Sequence, residues 1–264
     1  MNAWLSAIRG LILDMDGVLW RGDAPLLDMP AFFAAAGRLG LQVVLATNNA
    51  TRSVDQYLEK LNGYGAALKP EQVVNSPMAA AYYLRGKHPS GGPVHIVGES
   101  GLHDTLAEVG FHHAEEDVLA VVAGLDRTIT YPKLNKASSL IRAGAEFVGT
   151  NPDLTYPSPK GLAPGAGAVL AFLEAASGVK PKIAGKPEAY MFDLAIQRMG
   201  LDPSQVLAVG DRLDTDVLGG QRAGCRSCAV LSGVSTREEI EAWTPAVDLI
   251  LENLADLPPL FGPQ

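Results

Sequence analysis

Short apolar runs closed by a polar residue alternate along this chain with longer stretches whose apolar positions recur every three or four residues. Gly10-Leu11-Ile12-Leu13 is one such run, and it ends at Asp14. A run without alternation predicts a strand buried on both faces of a parallel sheet. The pattern then predicts a helix over about 30–39, a strand from Leu41 to Ala46 that ends at Thr47-Asn48-Asn49, a helix over 53–61 and a short strand at Val73-Val74. It resumes late, with a helix over 188–199, a strand over 205–209 ending at Gly210-Asp211, a helix over 215–223, and strands over 226–230 and 248–251. Strands alternating with helices imply right-handed crossovers and a parallel sheet whose ligands lie beyond the carboxyl ends of its strands. Asp14, Thr47 and Asp211 are therefore predicted on one edge.

Between these halves, strands are predicted over 94–97, 118–122 and 146–148, with helices over 101–109, 133–143 and 165–176. This reads as a second α/β domain. Proline and glycine break the periodicity near Asn75-Ser76-Pro77 and from Gly178 to Lys182, which sets the borders. The expected division is residues 1–77 with 181–264 as one domain and 78–180 as an insertion.

Composition narrows the function classes. The 264 residues are 47% apolar, enough for real cores, and no apolar run reaches the ~18 residues of a membrane span. The start, Met1-Asn2-Ala3-Trp4-Leu5, lacks the pattern of an export signal, so a cytoplasmic location is expected. A net charge of −8 argues against nucleic acid as a partner, which needs clustered Lys and Arg. Two cysteines, Cys225 and Cys228, cannot supply a disulfide framework.

Asp14-Met15-Asp16-Gly17 sets two carboxylates two positions apart just past a buried strand, with Gly17 permitting a sharp turn. Alone, such a segment could be a turn in which the acids cap backbone N–H groups. Together with a further acid such as Asp211, it offers the oxygen ligands that Mg²⁺ takes. The remaining ligands of an EF-hand are absent.

With Asp14-Met15-Asp16-Gly17-Val18-Leu19, Thr47-Asn48, Lys186-Pro187 and Gly210-Asp211-Arg212-Leu213-Asp214-Thr215-Asp216 in this order, the chain resembles the haloacid-dehalogenase-like hydrolase superfamily. Leu45-Ala46-Thr47-Asn48-Asn49, Gly149-Thr150-Asn151-Pro152-Asp153 and Gly185-Lys186-Pro187 are similar to its NagD-like, 4-nitrophenylphosphatase-like branch. The likeness covers nearly the whole chain. It implies a Rossmann-like parallel-sheet core with an inserted α/β cap, and a Mg²⁺-dependent phosphatase acting on small phosphomonoesters. Asp14 would be the nucleophile that forms an aspartyl-phosphate, and Asp16 the acid and base. Thr47, Asn48 and Asn49 would give neutral donors to phosphoryl oxygens, and Lys186 a positive charge. Asp14, Asp16 and Asp211 would make the metal site, together with a nearby backbone carbonyl, with Asp216 behind it orienting a bound water or Lys186. Asp214 would face solvent.

The gap from Asp14 to Thr47 has room for little beyond one helix, whereas Thr47 to Lys186 spans the whole insertion, which is where the cap is expected. Asn151, Asp153 and Lys160 are its candidates for contacting the leaving group. A homodimer through the caps is consistent with the resemblance, and no membrane partner is expected. The alternatives are a phosphotransferase or mutase on sugar phosphates, and a regulator that binds a phospho-ligand without turnover.

Other signals are set aside. Cys225-Arg226-Ser227-Cys228 has no second pair to complete a zinc site. His112-His113 with Glu115-Glu116 reads as a solvated loop. Gly161 to Gly167 lacks the strand and the glycine spacing of a dinucleotide loop, and Gly185-Lys186-Pro187 is no Walker A sequence.

Overall fold

The computed structural model describes residues 3–50, 53–158 and 161–262. They fall into two compact units, one drawn from residues 1–47, 54–74 and 187–264, the other from 48–53 and 75–186.

The first unit opens with β1 (Gly10–Leu13), a small hairpin of β2 (Trp20–Arg21) and β3 (Ala24–Pro25), α1 (Met29–Arg38), β4 (Gln42–Thr47), α2 (Val54–Gly63) and β5 (Val73–Asn75). The chain continues through α3 (Ser76–Lys87), β6 (Gly92–Val97), α4 (Ser100–Glu108), β7 (Phe111–His113), β8 (Ala120–Ala123), α5 (Tyr131–Arg142) and β9 (Glu146–Gly149). A hairpin of β10 (Thr155–Ser158) and β11 (Gly161–Pro164), then α6 (Ala166–Ser177) and β12 (Lys182–Ile183), follow. The last elements are α7 (Tyr190–Met199), β13 (Val206–Gly210), α8 (Leu218–Arg222), β14 (Arg226–Val230), α9 (Arg237–Glu241) and β15 (Leu249–Leu251).

The main sheet has the order β15-β14-β13-β1-β4-β5. Every residue of β1 and β13 is buried, as expected of central strands covered on both faces. Leu13 is level with Val209 on one side and Leu45 on the other, in parallel register. Asp14, Asp211 and Thr47 thus leave the sheet within two residues of one another. Leu11, Leu13, Val43, Leu45, Leu207 and Val209 form the core beneath that edge, packed with Trp20, Phe32 and Tyr57. Helix α1 starts where Asp28 accepts the Ala31 N–H at 2.9 Å, a cap worth about 1 kcal/mol, and turns Met29, Phe32 and Ala36 inward.

The second unit holds a five-stranded sheet of order β12-β9-β8-β6-β7, parallel throughout. Val97, Val121, Ala123, Ile141, Phe147 and Leu173 make its core.

Four elements differ from the sequence reading. Helix α3 has no counterpart in that reading; it opens at the Asn75-Ser76-Pro77 border, where the second unit resumes, because proline is tolerated in a first helical turn and Asn75 caps it by accepting the Met78 N–H at 3.1 Å. The helix expected over 215–223 divides into a wide turn at Leu213–Val217, where the Val217 N–H reaches Arg212 O at 3.2 Å, and the short α8. Residues Gly161–Pro164 do form a strand, but it pairs antiparallel with β10 and so builds no dinucleotide-binding unit.

His112-His113 is the fourth, an edge strand and no loop. His113, Glu115 and the buried His95 bring ligand atoms within 4.8 Å of one another. The hydrogen bonding opposes a metal there. His113 Nδ1 accepts the Ile96 N–H at 3.0 Å, which leaves the proton on Nε2, and that proton is directed at Glu115 Oε1 at 3.0 Å. An ion on Nε2 would have to displace it. His95 Nδ1 faces the Ala114 carbonyl at 3.1 Å, and burial holds its pKa below the usual histidine range.

Candidate active site

Asp14 is fixed by continuation of the sheet, its N–H donating to Val209 O at 2.9 Å. The chain then turns. Met15 is fully buried, and its carbonyl accepts the Leu19 N–H at 2.8 Å. Gly17, at φ +87°, donates to Trp20 O at 2.7 Å, closing the segment on itself. Asp16 projects outward from this turn, and its Oδ1 accepts the indole N–H of Trp20 at 2.9 Å.

Asp211 follows β13 and is buried, with Oδ2 accepting the Val234 N–H at 2.9 Å. Two glycines make room for it: a Cβ at Gly17 would lie 2.4 Å from Oδ2, and one at Gly233 would lie 1.9 Å away. Asp216 is buried too, its Oδ2 accepting the Arg212 N–H at 3.1 Å, and a Cβ at Gly210 would lie 2.1 Å from its own Cβ. Asp14, Asp211 and Asp216 bring carboxylate oxygens within 4.8 Å of one another. Three acids so close, two of them buried, concentrate negative charge that a cation would offset. An all-oxygen donor set in a glycine-walled cradle fits a hard divalent ion such as Mg²⁺.

The carboxylate group differs from the expected one in that Asp216, expected behind the ion, stands with Asp14 and Asp211, and the Asp16 carboxylate is not among them. Asp214 faces solvent as expected, with a side chain 68% exposed.

The glycine contacts give a first prediction. Gly233→Ala should displace the Asp211 carboxylate and cut kcat at least about tenfold, with overpacking costing roughly 1–3 kcal/mol of stability. Kinetics and a thermal melt on one preparation check this, and a variant with wild-type kcat would show that Asp211 has slack.

Thr47, at the end of β4, is buried, and Asn49 is half-buried. In the second unit, the buried side chain of Asn48 pairs with the main chain of Lys186 in both directions. Its Oδ1 accepts the Lys186 N–H at 2.8 Å, and its Nδ2 donates to Lys186 O at 3.0 Å. The Asn48 carbonyl in turn accepts Ser76 Oγ at 2.8 Å and Asn151 Nδ2 at 2.9 Å. Gly185 is required beside them, since a Cβ there would lie 2.4 Å from Thr150 O and 2.6 Å from Asn48 Oδ1. Lys186 is itself buried.

Two expectations change here. The Asn48 amide, expected on a phosphoryl oxygen, is engaged in holding Lys186. Asn151, expected to meet a leaving group, is buried and braces Asn48, with its Oδ1 accepting the Asp153 N–H at 3.2 Å. Asp153 is half-buried, and Lys160 lies outside the described residues. Ser76, Trp20 and Gly233 are not among the site residues that the sequence suggests. The available signals were slight: an aromatic four residues after Asp16, and a glycine just past a buried strand.

Cys225 and Cys228 are buried free thiols. Burial pushes Cys225 up to about 12 and Cys228 higher still, so neither offers the thiolate that zinc or redox chemistry needs. Native protein at pH 8 should show no thiol reactive toward dithionitrobenzoate within minutes, and both after unfolding. Rapid labelling of folded protein would contradict this burial.

Residues 11–112 match the haloacid dehalogenase-like hydrolase family model, and residues 183–257 match a second, HAD-hydrolase-like model. The acid sugar phosphatase of Staphylococcus aureus strain USA300 is 37% identical over 234 residues, 88% of this chain and 90% of that protein. NagD from E. coli K-12 superposes with a TM-score of 0.88 at 30% identity, covering 95% of this chain and 98% of NagD. The 4-nitrophenylphosphatase of Thermotoga maritima does so with 0.90 at 32% identity, covering 99% and 100%. No helix among the described residues is long and apolar enough to cross a membrane.

Proposed function

This chain belongs to the haloacid dehalogenase-like hydrolase family, in its NagD-like branch, and we propose that this phosphatase hydrolyses small phosphomonoesters, sugar phosphates among them, through an aspartyl-phosphate on Asp14. The observation that carries the reading is the set of three carboxylates, Asp14, Asp211 and Asp216, gathered where β1 and β13 end, with Asp16 held outside it. Nucleophile and acid thereby occupy different surroundings two residues apart.

A carboxylate oxygen of Asp14 attacks phosphorus in line while the bond to the leaving oxygen breaks. Asp16 gives that oxygen its proton, so the product departs as a neutral alcohol. Asp16, now a carboxylate, takes a proton from water as the water attacks the aspartyl-phosphate, releasing inorganic phosphate and restoring both acids. Asp14, Asp211 and Asp216 would hold Mg²⁺, which would keep Asp14 ionised and screen it from the anionic substrate. Thr47, Asn49, Lys186 and the main-chain N–H of Asn48 are assigned to the phosphoryl oxygens, in keeping with their places in the motifs.

The names of the relatives support the substrate range, since one is an acid sugar phosphatase and another a 4-nitrophenylphosphatase. Substrate choice is assigned to the inserted unit, through Asp153 and its neighbours. The test is a panel of sugar, glycerol, glycolate, nucleoside and pyridoxal phosphates with 4-nitrophenyl phosphate, assayed by phosphate release with Mg²⁺. Asp153→Ala should change kcat/KM unequally across the panel. Absence of turnover on every member would sink the reading.

A further inference from the structure

The acid–base carboxylate of the proposed mechanism is the exposed one, and an exposed aspartate ordinarily samples several rotamers. Here it is held. Trp20 is 1% exposed, and its Nε1 donates to Asp16 Oδ1 at 2.9 Å. The indole cannot easily move, because three sets of contacts fix it. Its main chain accepts the Gly17 N–H at 2.7 Å and pairs in β2 with Pro25. Lys60 Nζ stands 4.3 Å from the ring centroid, itself anchored on Gly22 O at 2.7 Å. The ring of Tyr64 lies 6.1 Å away, and its hydroxyl donates to Asp23 O at 2.8 Å.

Resting on the functional reading above, we propose that Trp20 is the positioning residue for the acid–base step, holding Oδ1 of Asp16 so that Oδ2 carries the proton to the leaving group. An indole N–H donates and never accepts, so the oxygen it holds cannot direct a proton at it. In a carboxylic acid the carbonyl oxygen is the better acceptor, so the oxygen that takes the indole N–H is the carbonyl and Oδ2 is the one left to carry the acid proton. As the bond from phosphorus to the leaving oxygen breaks, its electron pair goes to that oxygen, which takes the Oδ2 proton. Oδ2 afterwards accepts a proton from the attacking water. A serine or threonine at position 20 would leave the choice of oxygen open, because a hydroxyl both donates and accepts.

A leaving group that needs protonation depends on this arrangement, and one that departs readily as an anion does not. The experiment compares kcat/KM for glycerol phosphate and for 4-nitrophenyl phosphate in wild type and Trp20→Phe. The expected result is a fall of at least about tenfold in the ratio of the first to the second, since a placed general acid contributes 10²–10⁴. Should Trp20→Phe fold poorly, replacement of Trp20 by benzothienylalanine keeps the bicyclic shape with sulfur in place of the N–H. In an Asp16→Asn background the same change should leave the ratio where Asp16→Asn put it, because the two residues act as a unit. Equal losses on both substrates, or an unchanged ratio, overturn the role of Trp20 and leave the phosphatase reading standing. No turnover of either substrate by wild type overturns both.

Discussion

Asp14→Asn is expected to lower kcat by more than about a hundredfold on every phosphomonoester, because an amide of the same volume cannot attack phosphorus. The fold should survive. The main-chain bond from Asp14 to Val209 O is untouched, and the side chain is only half-buried. The melting temperature should stay close to that of wild type, since the amide fills the same volume. The two readouts together separate chemistry from damage. Retention of more than about a hundredth of the wild-type kcat would exclude Asp14 as the covalent nucleophile, given the effects such groups usually show.

The second large effect concerns the ion. Excess EDTA should abolish turnover, Mg²⁺ should restore it, Mn²⁺ should substitute, and Ca²⁺ should inhibit through its larger and looser oxygen shell. Binding is expected to register without substrate. At Mg²⁺ a hundredfold above its Kd, the folded state should gain about 2.7 kcal/mol, seen as a higher melting temperature. Asp211→Asn should lose both the restoration and the melting shift, since its carboxylate belongs to the group and lies against Gly17 and Gly233. Full activity in EDTA, or a melting temperature indifferent to Mg²⁺, would contradict the assignment.

Much of this protein is legible from local signals. The strand at Gly10–Leu13 has the limits that its apolar run marks, because a strand covered on both faces excludes polar residues until it emerges. The acids that follow are conspicuous for the same reason: Asp14 and Asp211 are the first charges after buried runs. Signals that local pattern misread were those with two local meanings. Proline at position 77 breaks a helix interior and opens a helix equally well, and the Asn75 cap made it an opening. The histidine at 113 sits on an edge strand because its neighbour β6 supplies the hydrogen bonds, which no nearby residue type announces.

The sequence by itself therefore determined the alternation of strands and helices in the parallel core, the family, and the places of Asp14 and Asp211 just past buried strands, since each follows from a short motif and the period beside it. Tertiary structure alone decided which groups meet. It put Asp216 with Asp14 and Asp211 and left the Asp16 carboxylate outside, it turned the Asn48 amide onto the Lys186 main chain, and it set Trp20 against Asp16. Those outcomes depend on the register of strands distant in sequence, on the space that glycines at 17, 185 and 233 leave, and on hydrogen-bond direction. Residue type and spacing carry none of that information, because the same side chain can donate to substrate or to its own backbone until packing fixes its surroundings.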